Sequence, residues 1–380
     1  MMTHSNNFKI LEVTNKRQFT NFIKVPFTIY KDDPNWVAPL IFERTKHFSK
    51  ENPYFEHAEC KFWIAYIDNK PVGRISAQID KLYLQQHGNA VGFFGLLESV
   101  DEKKVFEELL KTAEKWLKSR EMKYIMGPFN LSINDECGLL VDGFDNPPFI
   151  MMGHAKKYYA EMLSEFGYQK EKDLFAFMLD LEKGLPEIVG KILSKRSKNI
   201  TVRSLNKKDI LNEAFILKDI FNDGWSKNWS FIPFTDEEFF QLSKDLTLIV
   251  DDDFVQIGYF DNEPASMLIL LPNINEIIKD MRGRIFPFGW AKLLYGLKIK
   301  YPQTARGVLM GLKRKYHKSR IGIELFFLMV SEICKVASRK GVKKLEISWV
   351  LEDNKGAINL IKWADGEIYK RYRIYGKSLV

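Results

Sequence analysis

Hydrophobic and polar positions run through the same order twice along this chain of 380 residues. A short strand pattern (8–13; 200–205) leads into a helical stretch, then into two strands joined by Asp-Asn-x-Pro turns at Asp68 and Asp261. Asn tolerates the left-handed backbone that a tight hairpin needs, so each pair is expected to be antiparallel. A further strand (91–97; 307–312), a turn, a long helix and a final strand come next in both copies. In the first copy Val105, Phe106, Leu109, Leu110, Ala113, Trp116 and Leu117 recur at helical spacing with Lys and Glu opposite, which predicts a half-exposed helix. In the second, 323–337 is apolar almost all round, which predicts a helix covered on both sides. The strand after it alternates Leu345, Ile347, Trp349 and Leu351.

The repetition is also literal. Asn15-Lys16-Arg17 recurs 191 residues later as Asn206-Lys207-Lys208, and the hairpin around Asp68-Asn69 recurs 193 residues later around Asp261-Asn262. The strand from Met122 finds its match at Val342, 220 residues on, so the second copy carries about 27 extra residues between these landmarks. The length suits two average domains, and 46% hydrophobic residues suffice for two cores. The expected division is 1–185 and 200–380, with a Gly/Pro-containing and then Lys-rich join at 182–199. Cys60, Cys137 and Cys334 are odd in number and outside metal-ligand spacing, which argues against a disulfide framework or a bound metal and for a reducing cytoplasm. No apolar leader opens the sequence, and no run reaches the roughly 20 apolar residues of a membrane span.

Strand, turn, long helix and strand behind an antiparallel hairpin is the order of the GNAT acyltransferase fold. The chain resembles a tandem pair of such domains, an α/β class with mixed sheets. The resemblance is strongest in Tyr316-His317-Lys318-Ser319-Arg320-Ile321-Gly322, which opens the buried helix, and in Trp349-Val350-Leu351-Glu352-Asp353-Asn354, which ends the next strand. It implies that the first stretch cradles the pyrophosphate of coenzyme A, with Leu312, Lys313, His317, Arg320, Ile321, Gly322 and Asn354 as the acyl-CoA-binding set. Free N–H groups and the positive end of a helix dipole make such a turn an anion site. Arg320 stands where the family has its first glycine. The matching turn of the first copy, 98–102, has no glycine and three carboxylates, so only the second copy is expected to bind the acyl donor.

Acyl transfer to an amine needs a general base. Glu352, an acid at the strand end, is the candidate, with the alternative that Glu352 and Asp353 merely start the next helix. The tyrosine that the family places after the strand-end motif is replaced by Ile361, leaving Tyr372 or Tyr375 to protonate the thiolate. The first copy ends in a Gly-, Pro- and Asn-rich loop, 127–148, which places Asn134 on the register of Asn354 and carries Glu136. This loop reads either as a wall of the acceptor site, with Asn134 and Glu136 contributing to catalysis, or as purely structural. The stretch 222–233 reads as aromatic lid anchors or as core, and His57 and His154 read as satisfied core histidines.

The charge map narrows the partner. From Met281 to Ile323 there are eleven Lys or Arg and no Asp or Glu, against a net charge of +8 for the whole chain. Within that stretch Trp290, Leu293, Leu294 and Leu297 recur at helical spacing with lysines around them, the composition of an interfacial helix over 286–300. The apolar face favours an anionic membrane surface over nucleic acid. Among GNAT-like families the chain looks most like the group that includes bacterial ceramide synthases. That resemblance implies a cytoplasmic, membrane-peripheral N-acyltransferase joining long-chain acyl-CoA to an amphiphilic amine such as a sphingoid base. An aminoacyl- or peptide-modifying transferase and a non-catalytic binding protein with two decayed domains are the other readings.

Overall fold

A computed structural model describes residues 7–380. The chain forms two compact units. Unit 1 comprises residues up to Asp173 with Met281–Ile285 and Tyr372–Val380, and unit 2 comprises Leu174–Asp280 and Phe286–Arg371. The units therefore differ from the two copies read along the sequence, because each copy gives up an end.

In unit 1, strands Phe8–Glu12, Ala58–Ile67, Lys70–Asp80 and Val91–Ser99 pair antiparallel in that order. Val91–Ser99 then runs parallel to Tyr124–Gly127 over only Val91–Phe93, and the chain's C-terminal residues 375–378 pair antiparallel on the far side. Unit 2 repeats the plan with Ile200–Ser204, Val255–Phe260, Glu263–Pro272 and Thr304–Leu312. Thr304–Leu312 is parallel to Lys344–Leu351 over Thr304–Gly307, and residues 174–180 pair antiparallel beyond it. The expected antiparallel hairpins and the helices after them are all present.

The repeated motifs have local causes. Asn15 and Asn206 each cap the helical turn that comes next, their side chains accepting from the backbone N–H of Gln18 and Lys208. Both hairpin turns hold Asp and Asn at positive φ, 48° and 64° at Asp68-Asn69 and 50° and 64° at Asp261-Asn262, the two-residue turn whose twist matches the strands. The helix Lys103–Lys118 buries Val105, Phe106, Leu109, Leu110, Ala113 and Leu117 and leaves Trp116 half-buried. The helix Arg320–Arg339 buries thirteen of its residues, as its almost all-round apolar composition predicts.

In both units the fourth strand leaves its parallel neighbour at a register shift. In unit 2 the shift lies between Ile269 and Leu270 and their partners Leu309 and Gly307. In unit 1 it lies between Arg74 and Ser76 opposite Glu98 and Gly95. A bulge bends the strand that carries it, so the two parallel strands part beyond this point. The group that occupies the parting distinguishes the two units.

Candidate active site

Unit 1 fills its own parting. Residues 129–131 lie against the departing strand, where the Asn130 side chain accepts from the Leu96 N–H at 2.8 Å and the Gln78 amide donates to the Phe129 carbonyl at 2.7 Å. Gly95 is obligatory here, since a Cβ would stand 1.7 Å from the Phe129 oxygen. The loop read as polar thus folds inward as a short two-stranded ribbon, Phe129–Asn130 with Glu136–Cys137, burying Leu131 and Ile133. Asn134 is half-buried within it, its N–H donating to the Ser132 hydroxyl. Glu136 faces Arg44 at 2.9 Å and accepts from Asn130 at 3.1 Å. Burial works against its charge, but Arg44 and Asn130 prevail and hold its carboxyl below the usual range.

The acidic turn of unit 1 is also more than a repulsive surface. Glu98 accepts from the hydroxyls of Tyr30 at 2.7 Å and Tyr159 at 3.0 Å, with Arg74 at 3.9 Å. Burial pushes its carboxyl up to about 7 against the pull of Arg74 and the two tyrosines. Nearby, His154 lies 3.1 Å from Asp33, as His57 lies 3.1 Å from Asp80. Both histidines are partnered inside unit 1, as core histidines should be.

Unit 2 lines its parting with aromatic rings. The Trp225 indole donates to the Met310 carbonyl at 3.2 Å, and its ring lies 6.1 Å from that of Trp349. Both rings are half-buried. Gly224 lets the helix Ile210–Trp225 come down on the strand end, since a Cβ there would stand 2.6 Å from the Leu312 oxygen. Asn222 fastens the loop after that helix by exchanging hydrogen bonds with the backbone of Phe234. The 222–233 stretch is thus both aromatic core and one side of the parting.

The turn after Leu312 holds Leu312, Lys313, His317, Arg320, Ile321 and Gly322 of the donor-binding set expected from the sequence, and Asn354 lies outside it. Ser319 caps the buried helix by accepting from the Gly322 N–H at 3.0 Å, a role signalled by a serine before a helix but not assigned from the sequence. Gly322 packs on the turn itself, where a Cβ would meet the Tyr316 oxygen at 2.4 Å. His317 lies 2.8 Å from the Leu312 carbonyl, and the Arg314 N–H donates to Asp223 at 2.6 Å. Lys313 pairs with Asp219 and Lys315 with Glu263. Arg320 turns along the helix to Glu324 at 2.6 Å and donates to the Lys195 carbonyl. Its charge is therefore engaged within the protein, and the side chains of Arg314 and Lys318 make no ion pair among the described residues. The N–H groups of Lys318, Arg320 and Ile321 donate no hydrogen bond among the described residues. Three open amides at the start of a long helix, with two uncommitted basic side chains, suit a pyrophosphate.

Asn354 caps the helix Lys355–Trp363, its side chain accepting from the Ala357 N–H at 3.1 Å, and Glu352 sits half-buried in the turn before it. Ile361 is core, while Tyr372 and Tyr375 belong to unit 1.

A polar cluster beneath the parting strands was not foreseen from the sequence. Arg306 and Glu346 face each other across the parallel pair, and Arg306 donates to the Ser348 hydroxyl at 2.7 Å. The hydroxyls of Ser348 and Tyr369 donate to Glu346. Glu346 and Lys370 are wholly buried. Alternation assigned only Leu345, Ile347, Trp349 and Leu351 to the core. The strand is covered on both faces, so its other face is buried too, with polar groups that satisfy one another. Among the described residues no group of three or more His, Cys, Asp or Glu is placed to hold a metal ion.

No protein-family profile matches the chain. Protein YghO of Escherichia coli (strain K12) is 41% identical over 366 residues, covering 96% of this chain and 94% of its own. The bacterial ceramide synthase of Caulobacter vibrioides is 41% identical over 376 residues, covering 98% of both. Among solved structures, a tandem GNAT protein from the clavulanic acid biosynthesis pathway superposes with a TM-score of 0.59 at 10% identity, over 98% of this chain and 99% of its own. That likeness shows the fold, two GNAT domains in tandem. With identity at this level over nearly its whole length, the chain belongs to the family that contains the bacterial ceramide synthase and protein YghO.

Proposed function

We propose that this chain is an N-acyltransferase that moves an acyl group from acyl-CoA to the amine of a long-chain lipid, a sphingoid base, at a membrane surface. The observation that carries the reading is the contrast between the partings: one is plugged by its own loop, and the other is lined by Trp225 and Trp349 and lies beside a helix start with free amides. Coenzyme A would be held by the N–H groups of Lys318, Arg320 and Ile321 and the side chains of Arg314 and Lys318. The thioester would lie along the strand end near Leu312. Glu352 is assigned the base. It takes a proton from the acceptor ammonium, the freed amine nitrogen forms a bond to the thioester carbon and gives up a second proton as the carbon–sulfur bond breaks, and the thiolate takes that proton and leaves as the thiol of coenzyme A. Incubation with palmitoyl-CoA and sphinganine should release one thiol per amide formed, with one coenzyme A bound per chain in calorimetry. Amide-free thiol release, or aminoacyl transfer from transfer RNA instead, would overturn it.

The acceptor's insolubility gives the inserted segment its role. The helix Gly289–Lys298 packs through Gly296 on Ile277, where a Cβ would stand 2.5 Å from the Ile277 side chain. This leaves Phe286, Phe288, Trp290, Leu294, Tyr295 and Ile299 exposed. A contiguous apolar patch ringed by lysines suits an anionic bilayer, where each basic residue contributes about 1 kcal/mol. Lys292 and Lys298 are partly offset by Asp280 and Asp251, so the apolar groups should dominate. The protein is expected to float with phosphatidylglycerol vesicles, and a Trp290→Ser/Leu294→Ser variant to lose flotation while keeping its melting temperature. Intact flotation in that variant would sink the membrane assignment. No helix among the described residues is long and apolar enough to cross a membrane.

A further inference from the structure

Unit 2 holds a second feature that the turn and the base do not use. Between the helices Ile210–Trp225 and Asp236–Leu246 and the sheet lies a narrow recess. Its internal cavity is about 30 Å³, and the empty space reaches about 460 Å³ with its open mouth included. The lining is almost wholly apolar, with Leu217, Phe239, Leu242 and Leu246 from the helices over Ile269 and Leu309 from the sheet. Lys207, Ser243 and Thr247 are its polar members.

Two observations say what such a recess takes. Its floor is the pair Ile269 and Leu309, the last partners before the register shift. Leu309 lies two residues beyond Gly307, where the strand parts from Lys344–Leu351, and three before Leu312, so the recess is floored by the same strand that ends at the proposed thioester site. The same two helices and the turn after them also expose Leu211, Phe215, Phe240 and Leu248, the last at 80%. Large apolar side chains beside an apolar recess mark a route for an apolar ligand from the surface inward. Lys207 does not offer a charge to that ligand, because its ammonium is bound to the Val250 carbonyl and Asp252. An apolar slot with no free charge disfavours charged headgroups and suits hydrocarbon.

We infer that this recess receives the hydrocarbon chain of the acyl group that acyl-CoA delivers. The inference rests on the N-acyltransferase reading and deepens it by naming where the chain lies. The polar lining residue Ser243, on the second helix, makes it testable, because it can be enlarged without removing an apolar contact. The full-length protein is titrated with cis-parinaric acid, a fluorescent long-chain fatty acid, with palmitate and hexanoate as competitors. Saturable binding near one per chain, displaced by palmitate and not by hexanoate, is expected. Ser243→Phe should weaken it by roughly tenfold or more, a difference of one decade in affinity. Leu246→Trp, at a partly exposed helix end, should do the same, and melting curves identify a variant that has unfolded. Absence of saturable binding by the wild-type protein, or unchanged affinity in folded variants, overturns the inference. Binding of the fatty acid needs no acyl transfer. A protein that binds it in this recess but makes no amide contradicts the proposed reaction alone, and one that makes amide but ignores both substitutions contradicts the recess alone.

Discussion

Glu346→Ala is expected to destabilise the protein by about 3–5 kcal/mol, the range for removing one partner of a buried charge cluster. The wild-type carboxylate lies 3.6 Å from Arg306, accepts from the Ser348 and Tyr369 hydroxyls, and opposes the charge of the buried Lys370. Its loss removes the negative charge that Arg306 and Lys370 face and takes an acceptor from two hydroxyls. Glu346→Gln keeps hydrogen-bonding capacity and should cost less. Urea unfolding measures both, and a loss under about 1 kcal/mol for the alanine variant would show that the cluster is not held as described.

The same cluster predicts a pH dependence. Burial pulls the Lys370 ammonium down to about 8, with Glu346 pulling the other way. The unfolded lysine keeps its ordinary value near 10.4. Between about pH 8 and 10 the unfolded chain therefore binds more protons than the folded one, so this group makes stability rise with pH across that window. Below it, both states are protonated and the contribution is level. Lys370→Met should flatten the rise between about pH 8 and 9.5, and an unchanged slope would remove Lys370 as its source.

Glu352→Gln is expected to lower turnover by roughly 10²-fold or more while leaving acyl-CoA affinity nearly intact, the signature of a lost general base. The substitution preserves size, so the turn before the Lys355–Trp363 helix should survive. Asn354→Ala should act differently. Its side chain caps that helix, so the expected loss is about 1 kcal/mol of stability together with a raised acyl-CoA KM. A Glu352→Gln rate within a few-fold of wild type would move the base elsewhere. Glu136 is a poor substitute, since Arg44 and Asn130 stabilise its charged form and so reduce its basicity.

Much was legible in the sequence because its causes are local. The repeated Asn-Lys motif at Asn15 and Asn206, which the structure shows to be helix caps, the left-handed Asp-Asn turns at 68 and 261, and a largely apolar helix at 320–339 each depend on neighbours a few residues away. Their repetition was enough to read a duplicated plan, and the resemblance to the GNAT order pointed to the turn from Leu312 to Gly322. The charge run from 281 to 323 likewise marked the exposed apolar helix within it.

Only the tertiary structure decided the features that depend on contacts distant in sequence. Residues 372–380 complete unit 1 and 174–180 pair within unit 2, which no local pattern records because strand neighbours are set by pairing, not by adjacency. The 127–138 loop reads as polar and open, but its carbonyls and Asn130 find partners on Gln78 and Leu96, so it closes the parting of unit 1. Arg320 reads as available to a phosphate, yet Glu324, one helical turn away, holds its guanidinium. Arg306, Glu346, Ser348, Tyr369 and Lys370 are spread along the chain, and only strand register brings them into one buried cluster. Burial of a charge is tolerated only when its partners are in place, and those partners are a property of the folded chain.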